Sequence, residues 1–193
     1  MIDRVRSGEN DVWTLGNATL YQLCKDYPEH TDPRAIVAKM WLFGRAYSAA
    51  VERRKNNKGE NQVANDSFYE KKVTEAMMES ELDEKMDQLG PFDRIDSSSI
   101  IPILEVHHYL VSVLRELTGL EKRSLASKYL HFHKPNLFYI YDSRANSALR
   151  RLKPTGKVET YAQVDYPYAK FAFGVMELQE LVEQQFGEQL TPH

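Results

Sequence analysis

A single cysteine, Cys24, in 193 residues excludes an intrachain disulfide framework and a cysteine-based zinc site. The chain has no run of about 18 uncharged apolar residues, the length a membrane-crossing helix requires. Its opening, MIDRVRSGENDVW, lacks the apolar stretch of a secretory signal, so a cytoplasmic location with no membrane partner is expected. Gly-rich phosphate loops, internal repeats and low-complexity tracts are missing as well. There is no His-Glu-x-x-His or related ligand spacing, and no metal or other cofactor is expected.

What is present is the apolar content of a globular protein, 42% of residues, with 27% charged. This suits one domain over residues 1–193, with two lobes meeting near residues 56–66 or 90–98 as the alternative. Apolar spacing gives helices almost throughout. The first runs from Val12 to Tyr27 on Leu15, Leu20 and Leu23. A second starts at Asp32, a natural N-cap with Pro33 behind it, and carries Ile36, Met40, Trp41, Tyr47 and Val51 on one stripe. Ser67 and Glu70 have capping-box spacing and open an acidic helix to about Leu89, ended by Gly90-Pro91. Ile100 to Leu117 is apolar on most of its circumference, the mark of a central helix. Further helices are expected from Lys122 to His133, after a cap at Asp142, and from Tyr168 to Phe186. About seven helices with short connections predict an all-α bundle.

The formal net charge of −3 conceals a segregation. Residues 34–58 carry seven basic residues against Glu52 alone, and residues 122–157 carry nine against Asp142 alone. Between them, residues 60–96 hold eleven acidic residues and four basic ones. A chain patterned in this way can present a basic face to a phosphate polyanion. The alternative is that the acidic helix packs beside the basic ones and neutralises them.

One segment goes beyond a helical bundle. Leu117-Thr118-Gly119-Leu120-Glu121-Lys122-Arg123 sets a tight glycine turn between two helices, and Tyr141-Asp142-Ser143-Arg144 follows about nineteen residues later. Cleaving an N-glycosidic bond builds oxocarbenium-like charge on the sugar, and a carboxylate such as Asp142 can stabilise it. Asp142 also suits an ordinary N-cap, worth about 1 kcal/mol to its helix. The order of parts resembles the helix-hairpin-helix DNA glycosylase superfamily over roughly residues 98–152. That family's hairpin reads Leu-Pro-Gly-hydrophobic-Gly-x-Lys, with its catalytic aspartate at a similar distance. Leu117, Gly119 and Leu120 match the hairpin and Asp142 falls on the aspartate. Thr118 stands in place of the proline, Glu121 in place of the second glycine, and Arg123 in place of the lysine used by lyase-type members. Arginine stays protonated and forms no Schiff base, so lyase chemistry is not expected at that position.

The resemblance implies DNA binding and monofunctional base excision, with Asp142 as the catalytic carboxylate. Lys122, Arg123, Lys128 and Arg144 would then meet phosphates, Tyr129 or Tyr141 would stack on an extruded base, and His131 would contact phosphate or base. Two other functions stay open. One is a non-catalytic adaptor whose protein partner docks on the acidic helix, Glu70 to Leu89. The other is an enzyme or binder for a small phosphorylated or nucleotide ligand, with Arg45 and Arg144 in its pocket. Gly44 sits inside a helical run, where it either admits close packing or, with Arg45 and Tyr47, lines a cleft.

Overall fold

The computed structural model describes residues 12–52, 67–154, 163–187 and 189–192. Among these the secondary structure is helical, with no strand, and the fold is an all-α bundle. Helices α1 (Val12–Asp26) and α2 (Pro33–Ala46) are followed by a π-helical turn, Phe68–Val73, that runs on into α3 (Thr74–Met78). Then come α4 (Leu82–Asp87), α5 (Ile100–Thr118), α6 (Arg123–His133), α7 (Ser143–Leu152) and α8 (Tyr166–Phe186). Arg53, Arg54, Lys55, Lys58, Glu60, Asp66 and Lys157, and the lobe boundary at 56–66, lie outside the described residues.

Local chemistry sets most of the boundaries. Asp32 accepts the Arg34 N–H at 2.9 Å, with Pro33 in the first turn of α2. Gly119 closes α5 in the left-handed conformation, φ 68°, its N–H bonded to the Arg115 carbonyl at 2.7 Å. Asp142 caps α7 by accepting the Ala145 N–H at 2.8 Å. Pro102 falls within the first turn of α5, where proline is tolerated.

Four boundaries differ from the sequence expectation. Helix α2 stops at Ala46 rather than near Val51. Ser48 there has φ 52° and the chain folds back, so a Cβ on Gly44 would sit 3.0 Å from Ala50 Cα. Gly44 therefore serves close backbone approach. No capping box forms at Ser67, which is itself in the right-handed helical conformation and makes no side-chain cap bond. The chain enters the π-helical turn instead, and the Thr74 hydroxyl donates to the Glu70 carbonyl. The acidic helix is broken after Met78, where the Glu81 N–H donates to the Tyr109 hydroxyl at 2.7 Å. Finally, α8 begins at Tyr166, two residues early, because Asp165 accepts the Tyr168 N–H at 3.1 Å with Pro167 in the first turn.

The core lies around α5 and α6. Helix α6 packs against α1, α2 and α5, while α5 also takes α3 and α4. Every residue of α6 from Leu125 to Phe132 is buried, the polar Ser127, Lys128 and His131 included. Tyr21, Phe43 and Phe132 meet there, with Tyr21 and Phe132 ring centres 4.4 Å apart and Phe43 and Phe132 5.0 Å apart. Cys24 joins this core, and burial pushes its thiol pKa up to about 12, so it behaves as an apolar residue. Two expected core positions face solvent instead, Leu15 and Trp41. The acidic stretch packs on α2 and α5, whereas α7 packs on α8.

Candidate functional site

The hairpin between α5 and α6 is knitted to its surroundings. Glu121 lies 3.5 Å from Arg115 and 3.7 Å from Arg123. Arg123 Nε donates to Asp165 at 2.6 Å, tying the start of α6 to the cap of α8. Lys122 Nζ donates to the Ala50 carbonyl at 2.8 Å and holds the chain beyond α2. In this structure both cations fasten protein segments, and the turn places the Glu121 carboxylate beside them.

Three further expected contacts are interior. Tyr129 is fully buried and its hydroxyl donates to His30 Nε2 at 2.7 Å, so it is not available for stacking on a base. His131 Nδ1–H donates to the Phe138 carbonyl at 2.8 Å and its Nε2 accepts the Tyr21 hydroxyl at 2.7 Å. This side chain, too, is buried away from any phosphate. Lys128 is 2% exposed. Its Nζ lies 2.6 Å from Ser124 Oγ and 3.3 Å from the Tyr141 carbonyl. Burial lowers the Lys128 pKa, and the Asp142 carboxylate opposes that fall.

Asp142 is half-buried at the head of α7. Its Oδ1 is engaged by the Ala145 N–H, and Oδ2 has no partner among the described residues. Arg144 is exposed on the same helix. Of the cleft candidates at the end of α2, Tyr47, the residue that follows the helix, approaches this region, with Lys128 Nζ 5.6 Å from its ring centre and its hydroxyl donating to Asn17 at 2.7 Å. Arg45 instead pairs with Glu52 at 3.0 Å and lies over the Trp41 ring.

The structure also opens a cleft the sequence reading did not locate. It encloses about 370 Å³ between α7 and α8 and is lined by Tyr141, Asn146, Leu149, Arg150, Lys153, Pro154, Tyr166, Pro167, Lys170 and Phe171. Gly174 permits the helices to close beside it, since a Cβ there would fall 2.9 Å from Pro154 Cγ. Tyr141 and Phe171 meet edge to face at 5.2 Å. Arg144, Arg150, Arg151, Lys153 and Lys170 are exposed and have no carboxylate partner among the described residues. A signal for this was present in the sequence: Arg144, Ser147 and Arg151 are spaced to share one face of α7, with Ala145 and Leu149 on another.

The remaining histidines serve different neighbours. His107 is fully buried, face to face with Tyr168 at 3.5 Å between ring centres; neither ring nitrogen meets a partner in good hydrogen-bond geometry, although the Arg123 backbone favours its protonated form. Burial lowers its pKa to about 3. His133 Nδ1–H donates to the Tyr129 carbonyl at 2.7 Å. Among the described residues no three His, Cys, Asp or Glu side chains converge to hold a metal ion. No helix among them is long and apolar enough to cross a membrane. No family model, curated protein or solved structure matches the chain.

Proposed function

We propose that the protein binds nucleic acid through the exposed face of α7 and the mouth of the α7–α8 cleft. The observation that supports this is a set of five exposed cations without carboxylate partners among the described residues: Arg150, Lys153 and Lys170 line the cleft with Tyr141 and Tyr166, and Arg144 and Arg151 stand on the neighbouring face of α7. Cations of this kind neutralise phosphates, and aromatic faces take unstacked bases. The acidic stretch packs chiefly on α2 and α5, leaving α7 to α8.

On this reading Asp142 supplies monofunctional excision. Its capped Oδ1 holds the carboxylate in place while Oδ2 faces developing positive charge on the sugar. The hairpin contributes by position alone, since Lys122 and Arg123 are engaged internally. Oligonucleotide binding measured by fluorescence anisotropy tests the first claim. Affinity should fall steeply with salt, and Arg150→Ala with Arg151→Ala should lower both affinity and salt slope. Salt-independent binding, or an unchanged double variant, overturns it.

The cleft volume favours one competing reading. About 370 Å³ suits a single nucleotide. Saturable mononucleotide binding without oligonucleotide affinity would select a small phosphorylated ligand instead.

A further inference from the structure

Ser124 and Lys128 stand one turn apart at the start of α6, with Oγ and Nζ 2.6 Å apart. Ser124 is part-exposed, whereas Lys128 is 2% exposed, so Ser124 is the more exposed residue of the pair. A second contact fixes the amine, which donates to the Tyr141 carbonyl at 3.3 Å. A neutral amine has two N–H donors and one lone pair. In the structure Nζ donates to Ser124 Oγ; in the neutral form, with one donor on Tyr141, its lone pair can receive the Ser124 hydroxyl proton instead. Two features of the surroundings add to this. The Ser124 and Leu125 N–H groups lie in the first turn of α6, ahead of the first helical bond from Ala126 to the Lys122 carbonyl. They have no backbone acceptor among the described residues, and no side chain caps the turn. Burial also lowers the lysine's pKa, while the Asp142 carboxylate and the Tyr47 ring that face it favour the charged form.

We propose that Ser124 and Lys128 form a nucleophile–base dyad that accepts acyl groups from carboxylic esters. Ser124 Oγ attacks the ester carbonyl while its proton passes to Lys128 Nζ, and the first-turn amides steady the oxyanion. The bond to the leaving alcohol then breaks, and Lys128 returns the proton to that oxygen. Water hydrolyses the acyl-serine with Lys128 again taking and returning a proton, which restores both residues. This chemistry is independent of nucleic-acid binding and uses none of the cleft cations.

The test is labelling of the full chain with a fluorophosphonate probe, in which a serine–phosphorus bond forms and fluoride leaves, followed by turnover of p-nitrophenyl acetate. Peptide mapping should place the label on Ser124, and Ser124→Ala should remove it. Lys128→Met should slow labelling by at least about 100-fold, the usual contribution of a general base. Lys128→Arg, which keeps charge and donors but accepts no proton, should slow it as much. If both lysine variants fail to fold, the wild-type pH profile decides: the labelling rate must reach half its plateau below the ordinary lysine value of about 10.4. Label on another residue, no label on folded wild type, or either folded lysine variant reacting at the wild-type rate overturns the proposal.

Discussion

Lys39 Nζ lies 3.1 Å from His133 Nε2 in the interior of the bundle. Because His133 Nδ1–H is committed to the Tyr129 carbonyl, Nε2 carries the lone pair and the lysine is the donor. Lys39 also donates to the carbonyls of Tyr27 at 2.9 Å and Glu29 at 3.3 Å. One fully buried ammonium thus ties the α1–α2 connection to the end of α6. Lys39→Met leaves these three acceptors without a donor and is expected to destabilise the protein by about 3 kcal/mol, read from urea unfolding.

Three histidines, His30 and His107 buried and His133 half-buried, predict acid sensitivity. His30, His107 and His133 all have pKa values lowered chiefly by burial. Below about pH 6.5 the unfolded chain therefore binds protons that the folded one refuses. Their contribution is complete above that pH and is lost as pH falls, at about 1.4 kcal/mol per pH unit for each histidine still neutral in the fold. For His107 the loss continues down to about pH 3. Unfolding midpoints between pH 7.5 and 4.5 measure the slope. His107→Phe keeps a ring against Tyr168, removes two nitrogens that lack well-formed hydrogen bonds, and should flatten the slope by one proton while raising stability at pH 7 by about 1 kcal/mol.

Substitution separates the cap observed at Asp142 from the catalytic role proposed for it. Asparagine is an equally good N-cap, so Asp142→Asn should leave stability within about 0.5 kcal/mol, whereas Asp142→Ala should cost about 1 kcal/mol. Both should abolish excision, measured as abasic-site formation, and both should retain oligonucleotide binding. Excision surviving in Asp142→Asn removes the carboxylate from the chemistry.

Arg123→Lys restores the residue type of the lyase-type hairpin. The Arg123 position is held by Asp165 at 2.6 Å, and lysine lacks the planar fork that makes this contact. No strand cleavage at abasic sites is expected, together with a stability loss of about 1–2 kcal/mol as α8 loosens from α6.

Lys153 occupies the left-handed region, φ 49°, at the end of α7. Lys153→Gly relieves that strain and should raise stability by up to about 1 kcal/mol. It also deletes a cleft cation, so nucleic-acid affinity should fall in the same variant, measured by melting and anisotropy side by side.

The features legible in the sequence were the local ones. Asp32-Pro33, Gly119 and Asp142 each act within one turn, so residue type alone located them. The Asp165-Tyr166-Pro167 start of α8 is nearly the same signal as Asp32-Pro33, yet the apolar stripe drew the expected boundary to Tyr168. The site was harder to read because its residues are brought together by packing. Arg123 meets Asp165 across 42 positions, and Lys122 meets Ala50 across 72. A count of basic residues therefore spread the positive face over residues 122–157, while the structure buries Lys128 and His131 on α6 and leaves the exposed charge on α7. Interior polar residues on α6 look like a solvated face until its neighbours on three sides are known.

The face-to-face stack of His107 on Tyr168 gives the bundle a built-in reporter. At 3.5 Å the imidazole protons lie in the shielding cone of the phenol ring, so their nuclear magnetic resonances are displaced upfield of other histidine signals. Those lines would register the docking of α8 on α5 without any added label, and would return to ordinary positions if the last helix came away while the rest of the bundle stayed folded.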